Sequence, residues 1–134
     1  MANAGTIKLS ASKPACPGWL GPEARAEWKR VAKLLGAAGL LSDLDQAVLA
    51  AYCQATVEHR LATGTLEREG RVITDDAHGG RLQAHPANQL QRSAWAAIEK
   101  FAKILGLDPA SRGRMAAIAG PVKTTAPVER RKRK

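Results

Sequence analysis

The stretch SDLDQAVLAAYCQATVEHRLATGTLERE, residues 42–69, decides the fold. Ser42 is a favoured helix N-cap, because its hydroxyl oxygen can accept from the unpaired N–H groups of a first turn. Asp45, three residues on, is a short relative of the capping-box glutamate. From Asp43 onward Leu44, Val48, Ala51, Tyr52, Ala55, Ala62 and Leu66 recur at helical spacing, with Gly64 a weak point and Gly70 the stop. At 1.5 Å per residue this is roughly 40 Å of helix. A helix that long in a small protein needs a partner helix, or a neighbouring subunit, along its side.

Upstream, Pro22 suits the first position of another helix and Glu23 faces the positive end of its dipole. Ala24, Trp28, Val31 and Leu35 make its apolar stripe, and Gly36 and Gly39 end it. Downstream, Arg71–Thr74 and Arg81–Ala84 flank Asp75-Asp76-Ala77-His78-Gly79-Gly80 and read as two short strands around a turn. A lone hairpin is marginal in water, so this one must pack on the helices or move. His85-Pro86 opens a third helix whose Leu90, Ala94, Ala97, Ile98, Phe101, Ile104 and Leu105 can lie antiparallel on the second, down to the C-cap Gly106. Asp108-Pro109 caps a short fourth helix, Ala110 to about Ile118. The expected class is mainly α: a helical protomer with long central antiparallel helices and a short β-hairpin. Its expected divisions are a flexible lead-in over 1–18, a helical domain over 19–119 and a disordered basic tail over 120–134.

The net charge of +9 is concentrated at the ends. From Gly120 onward Lys123, Arg130, Arg131, Lys132, Arg133 and Lys134 face only Glu129, and Lys8 and Lys13 add two charges at the start. Residues 15–119 carry thirteen basic and eleven acidic side chains, so the body is close to neutral. Clustered cations repel one another and stay solvated until a polyanion arrives. A nucleic-acid backbone fits, because binding releases its condensed counterions. An anionic membrane is the rival, but no apolar segment adjoins the block. A tail that only keeps the protein soluble is the plainer reading of the same run; a nuclear address is a third, with nothing else in the chain to support it. The alanine-rich body holds one Phe, one Tyr and three Trp, so it buries little area per residue and gains from assembly with copies of itself.

The sequence argues against an enzyme. It lacks the Gly-x-x-x-x-Gly-Lys-Ser/Thr phosphate loop, and its one adjacent carboxylate pair, Asp75-Asp76, falls in the hairpin turn beside His78, where Asp and Gly are ordinary turn formers. Cys16 and Cys53 have no metal-ligand spacing and read as free or buried thiols. No metal or cofactor is expected. His59 reads as a surface or interface residue, and His85 as a helix-opening one. The start of the chain has no apolar core of signal-peptide length, and no run reaches the ~20 residues of a membrane span; a soluble, cytoplasmic protein is expected. Arg25, Lys29, Arg30 and Lys33 on the first helix are candidate DNA contacts, although Glu23 and Glu27 among them also fit a salt-bridged solvent face. Arg112 and Arg114 fit either a phosphate contact or an ion pair with Asp108.

In their order, several local signatures resemble the small subunit of phage terminase. They are Pro17-x-Trp19-Leu20 with Ala26-x-Trp28; Leu40-Leu41-Ser42-x-x-Asp45 leading to Ala51-Tyr52-Cys53; Gly70 and the hairpin; His85-Pro86-Ala87; and Leu105-Gly106-Leu107-x-Pro109-x-Ser111-Arg112. The resemblance spans Pro17 to about Met115. It implies a non-enzymatic, DNA-binding homo-oligomer, a ring of several subunits, acting in the cytoplasm of an infected bacterium. Such a protein would recognise the packaging-initiation region of double-stranded viral DNA, and would recruit and regulate the large terminase subunit with its ATPase and nuclease. The long helix, third helix and hairpin would build the ring, with Leu44, Val48, Tyr52, Leu90, Ile98, Phe101 and Leu105 as its contact residues. A dimeric helical transcription regulator is the alternative, weakened by Asp43 and Asp45 at the start of the helix that would follow the turn.

Overall fold

A computed structural model describes residues 12–119. Helix α1 spans Pro22–Ala37, α2 Gln46–Glu69, β1 Val72–Asp75, β2 Arg81–Ala84, α3 Ala87–Leu105 and α4 Pro109–Ala119. The mainly helical class and the order of elements are those expected.

The caps explain the boundaries. Asp45 turns its carboxylate back on Ser42, whose backbone N–H and hydroxyl donate to it at 2.8 and 3.0 Å. That reach tightens the turn, so Asp43–Asp45 is a 3₁₀ segment and the α-helix begins at Gln46. Helix α1 runs through Gly36 to Ala37 and is closed off two residues later by Gly39, whose φ of +69° glycine adopts without strain. There Leu40 N–H reaches Leu35 carbonyl at 2.9 Å, closing a Schellman turn. Gly106 repeats the device after α3, with φ +74° and Leu107 N–H on Ala102 carbonyl. A Cβ at Gly106 would meet the Met115 sulfur at 2.8 Å, so this glycine also lets α4 fold back closely.

Helix α3 runs antiparallel to α2. Along the seam His85 meets Glu69, Gln91 meets Thr63 and Trp95 meets His59, so numbers fall on one helix as they rise on the other. The hairpin joins their ends in the register Val72↔Ala84 to Asp75↔Arg81. Its base is tied down: Arg71 donates to Asn88 and Gln91, and the Asn88 amide donates back to Arg71 carbonyl at 2.8 Å. The strands beyond that base are largely exposed in the protomer.

The core forms where α1, the first half of α2 and the end of α3 meet. Leu20, Ala24, Trp28, Val31, Leu35, Leu41, Leu49, Ala50, Cys53 and Leu105 are its buried members. Helix α2 is therefore flanked by α1 on one side and α3 on the other. Its most buried residues, Leu49, Ala50 and Cys53, lie outside the single stripe read from the sequence, and Leu44 of that stripe is 74% exposed. Two packed sides need two stripes.

From Ser12 to Gly18 the lead-in lies across the α1–α2 corner. Ser12 N–H donates to Leu41 carbonyl, Asp43 N–H donates to Ser12 Oγ at 2.8 Å, and the Gln46 amide donates to Ala15 carbonyl at 2.7 Å. Pro14 is buried and Cys16 packs on the core. A Pro-rich segment has few conformations to lose on docking, which offsets its small contact area. Residues 1–11 and the tail expected over 120–134 lie outside the described residues.

Both cysteines are free thiols. Cys53 is fully buried, and desolvation pushes its thiol up to about 12. At pH 8 a maleimide will therefore label half-buried Cys16 in the native protein, while Cys53 reacts only on unfolding. Mass spectrometry of labelled peptides checks this; Cys53 reacting as fast as Cys16 in the folded state contradicts the packing.

Candidate nucleic-acid interface

The structure sorts the charges that alternate along α1. Glu27 pairs with Arg30 one turn on, and Glu23 pairs with Arg60 of α2. The hydrogen bond from Arg30 holds the Glu27 carboxyl below its ordinary range against the opposing effect of partial burial, with smaller help from the charges of Arg30 and Arg60. Both carboxylates and Arg30 thus belong to the salt-bridged side of the helix.

Arg25, Lys29 and Lys33 fall at i, i+4 and i+8, which places them along another side. Among the described residues none of the three takes part in an ion pair. The Arg25 guanidinium donates to the carbonyls of Gly18 and Leu20 at 3.3 and 3.2 Å, pinning the turn before α1 while keeping its charge. Lys29 and Lys33 are exposed.

The docked lead-in adds a third ammonium to theirs. Lys13, Lys29 and Lys33 line one groove, floored by Pro14, Trp28, Ala32, Gly36 and Leu41. Ala32, Gly36 and Ala37 keep the helix surface low beside the lysines, so an extended anion can come close to the backbone. Lysine ammoniums on flexible stems suit phosphate oxygens and carry no base-reading geometry. Sequence reasoning missed Lys13 as a member of this group. Its only signal was a lysine beside Pro14, and its position follows from hydrogen bonds to residues about thirty positions away.

The other candidates are placed as follows. Arg112 donates to Leu107 carbonyl at 2.7 Å and Arg114 to Ser111 Oγ at 3.0 Å, so both stabilise the α3–α4 turn. Asp108 accepts from Ser111 N–H at 2.9 Å and from its hydroxyl; these bonds, more than the Arg114 charge, hold its carboxyl below the usual range. Asp75 accepts from Ala77 N–H at 3.1 Å and from His78, as a turn residue does. His85 accepts from Ala87 N–H through Nδ1 at 2.9 Å and meets Glu69 through Nε2, as a helix-opening residue. No group of three or more His, Cys, Asp or Glu among the described residues is placed to hold a metal ion. No described helix is long and apolar enough to cross a membrane.

Of the residues named for assembly, Leu105 is only 3% exposed and lies inside the protomer core. Val48 and Tyr52 pack against that core and keep part of their surface. Ile98 and Phe101 are half-buried, while Leu44 and Leu90 stand in solvent. Lys123 and Arg130–Lys134 lie outside the described residues.

A family model described as "Phage terminase, small subunit" matches residues 24–121. The match takes in nearly all of α1 through α4 and leaves out Lys13 and the terminal basic run. No curated protein and no solved structure matches the chain.

Proposed function

We propose a function from one premise: the chain belongs to the phage terminase small-subunit family. It acts in phage genome packaging as a non-catalytic adaptor. Several copies assemble, hold the double-stranded viral DNA near its packaging-initiation site, and bring the large terminase subunit, with its ATPase and nuclease, to that DNA in the host cytoplasm. The carboxylate-free lysine groove on α1 is the observation that carries the reading, because it offers a fixed cationic seat on a body that is otherwise close to neutral.

Charge and assembly work together. One groove with three ammoniums, or one tail with a handful of cations, holds DNA weakly at physiological salt. Copies on one rigid assembly act at a high effective concentration, which raises avidity by roughly two to four orders of magnitude. Phosphate contacts fix register but carry no sequence information. Choice of site then rests on DNA curvature along the assembly, or on groove contacts made by helix side chains.

The paired variant Lys29→Glu with Lys33→Glu tests this. Both positions are exposed, so the fold and the mass of the assembly stay as they are. Affinity for a labelled duplex will fall at least about tenfold, similarly for any sequence, and the slope of log K against log salt will flatten by about two. Arg30→Ala, at a residue engaged by Glu27, will change either quantity far less. Fluorescence anisotropy across a salt series reads all three. Equal DNA affinity in the lysine variant and the parent removes α1 from the interface.

A further inference from the structure

The turn before α1 holds one large exposed side chain in a fixed frame. Pro17 and Pro22 bracket it, and Leu20 N–H donates to Pro17 carbonyl at 3.3 Å. Leu20 is 3% exposed and fills the core, while its neighbour Trp19 stands 70% exposed. The Arg25 guanidinium donates to both the Gly18 and the Leu20 carbonyl, gripping the backbone on either side of Trp19. The indole is thus presented by a plugged and clamped turn, which lowers the entropy cost of a contact. Among the described residues no aromatic ring pairs with it. A single exposed apolar residue is ordinary on a surface. What sets Trp19 apart is the cation clamped to its own turn.

Lys29 follows Arg25 one turn on, about 6 Å further along α1. Leu20, Pro22, Arg25, Ala26 and Lys29 line a hollow at this end of the helix, and Lys29 continues into the lysine groove. A cationic track with an aromatic platform is what single strands bind, the cations following the backbone and a base stacking on the ring. We propose that this turn is a seat for single-stranded DNA, with one base stacked on Trp19 and the adjoining phosphates on Arg25 and Lys29. The seat goes beyond the duplex contact above and shares its cations, so it rests on that reading for the charge alone. The strand state follows from the balance of stacking. In a duplex both faces of every base are covered, and opening a step for an indole costs about what one new stack returns. In a single strand the faces are already free, so the stack is a net gain. Every base has such a face, so the seat will accept strands of any sequence.

Fluorescence anisotropy with a labelled oligothymidylate and a labelled duplex tests the seat. The full chain is compared with Trp19→Ala, Trp19→Phe and Trp95→Ala, each shown to be folded by circular dichroism. Trp19→Ala will bind the oligothymidylate about tenfold more weakly, and the duplex within about twofold of the parent. Trp19→Phe keeps a flat ring and will retain most of the affinity. Trp95→Ala removes the other exposed indole, on α3, and will bind both ligands as the parent does. Unchanged affinity of Trp19→Ala for the single strand overturns the seat. So does an equal loss on the duplex, or a tenfold loss of the single strand in Trp95→Ala. The paired lysine variant separates this proposal from the reading above. Duplex binding that survives Lys29→Glu with Lys33→Glu removes the groove, and the seat stands if Trp19→Ala still loses the single strand.

Discussion

Deleting Glu129–Lys134 will weaken binding to duplex DNA by about two to four orders of magnitude at ~0.1 M salt, and will leave the mass of the assembly unchanged. The segment carries five cations and one carboxylate, against a body whose charges nearly cancel. Each phosphate neutralised releases close to one condensed counterion, so losing five flattens the salt slope by roughly four to five for each arm engaged. The lysine groove keeps its charge, so the deleted protein will retain a weaker, less salt-sensitive hold. A titration with Arg130–Lys134 replaced by Ser separates lost charge from lost length. If the deletion leaves affinity and slope where they were, the arm serves another partner and the groove alone meets the DNA.

Trp28→Ala will destabilise the protomer by about 3–5 kcal/mol, the usual cost of truncating a buried indole. Trp28 is 4% exposed, in the same buried cluster as Val31, Leu49 and Leu105, and it also floors the lysine groove. A domain of this size has only ~5–15 kcal/mol to lose, so the loss takes a large part of the whole. Trp19→Ala is the matched control: the same residue type at 70% exposure, expected to change stability by no more than about 0.5 kcal/mol. Urea unfolding at one fixed protomer concentration measures both, since assembly couples stability to concentration. Similar midpoints for the two variants contradict the assignment of the core.

Much of this protein was legible because its punctuation is strong. Pro22, Ser42 with Asp45, His85-Pro86, Gly106 and Asp108-Pro109 each mark a boundary for a stated stereochemical reason, and each lies within a few residues of an element's end. The stripe Ala24, Trp28, Val31 and Leu35 is the buried face of α1 because that helix packs on one side only. Helix α2 defeated the same reasoning. Flanked by two helices, it buries Leu49, Ala50 and Cys53 as well as Ala55, Ala62 and Leu66, and a single periodic stripe does not say which neighbour takes which residue. In α3 the apolar series divides, with Ala94 and Leu105 turned inward and Leu90 outward. The candidate site was half legible. Lys29 and Lys33 were visible as cations on a helix, and the i, i+3 spacing of Glu27 and Arg30 fits their pairing within it, but Glu23's removal to Arg60 thirty-seven residues away needed the tertiary arrangement.

The strap over residues 12–18 also governs how the molecule is handled. Because Ser12 is bonded to Leu41 and Asp43 and Lys13 lines the groove with Lys29 and Lys33, the first described residues are fixed beside that groove. An acidic peptide joined directly to Ser12 in place of residues 1–11 will act as a tethered decoy for DNA, lowering apparent affinity in cis. Removing such a peptide before titration, and placing fluorophores on α3 instead, keeps the reporter clear of that mouth.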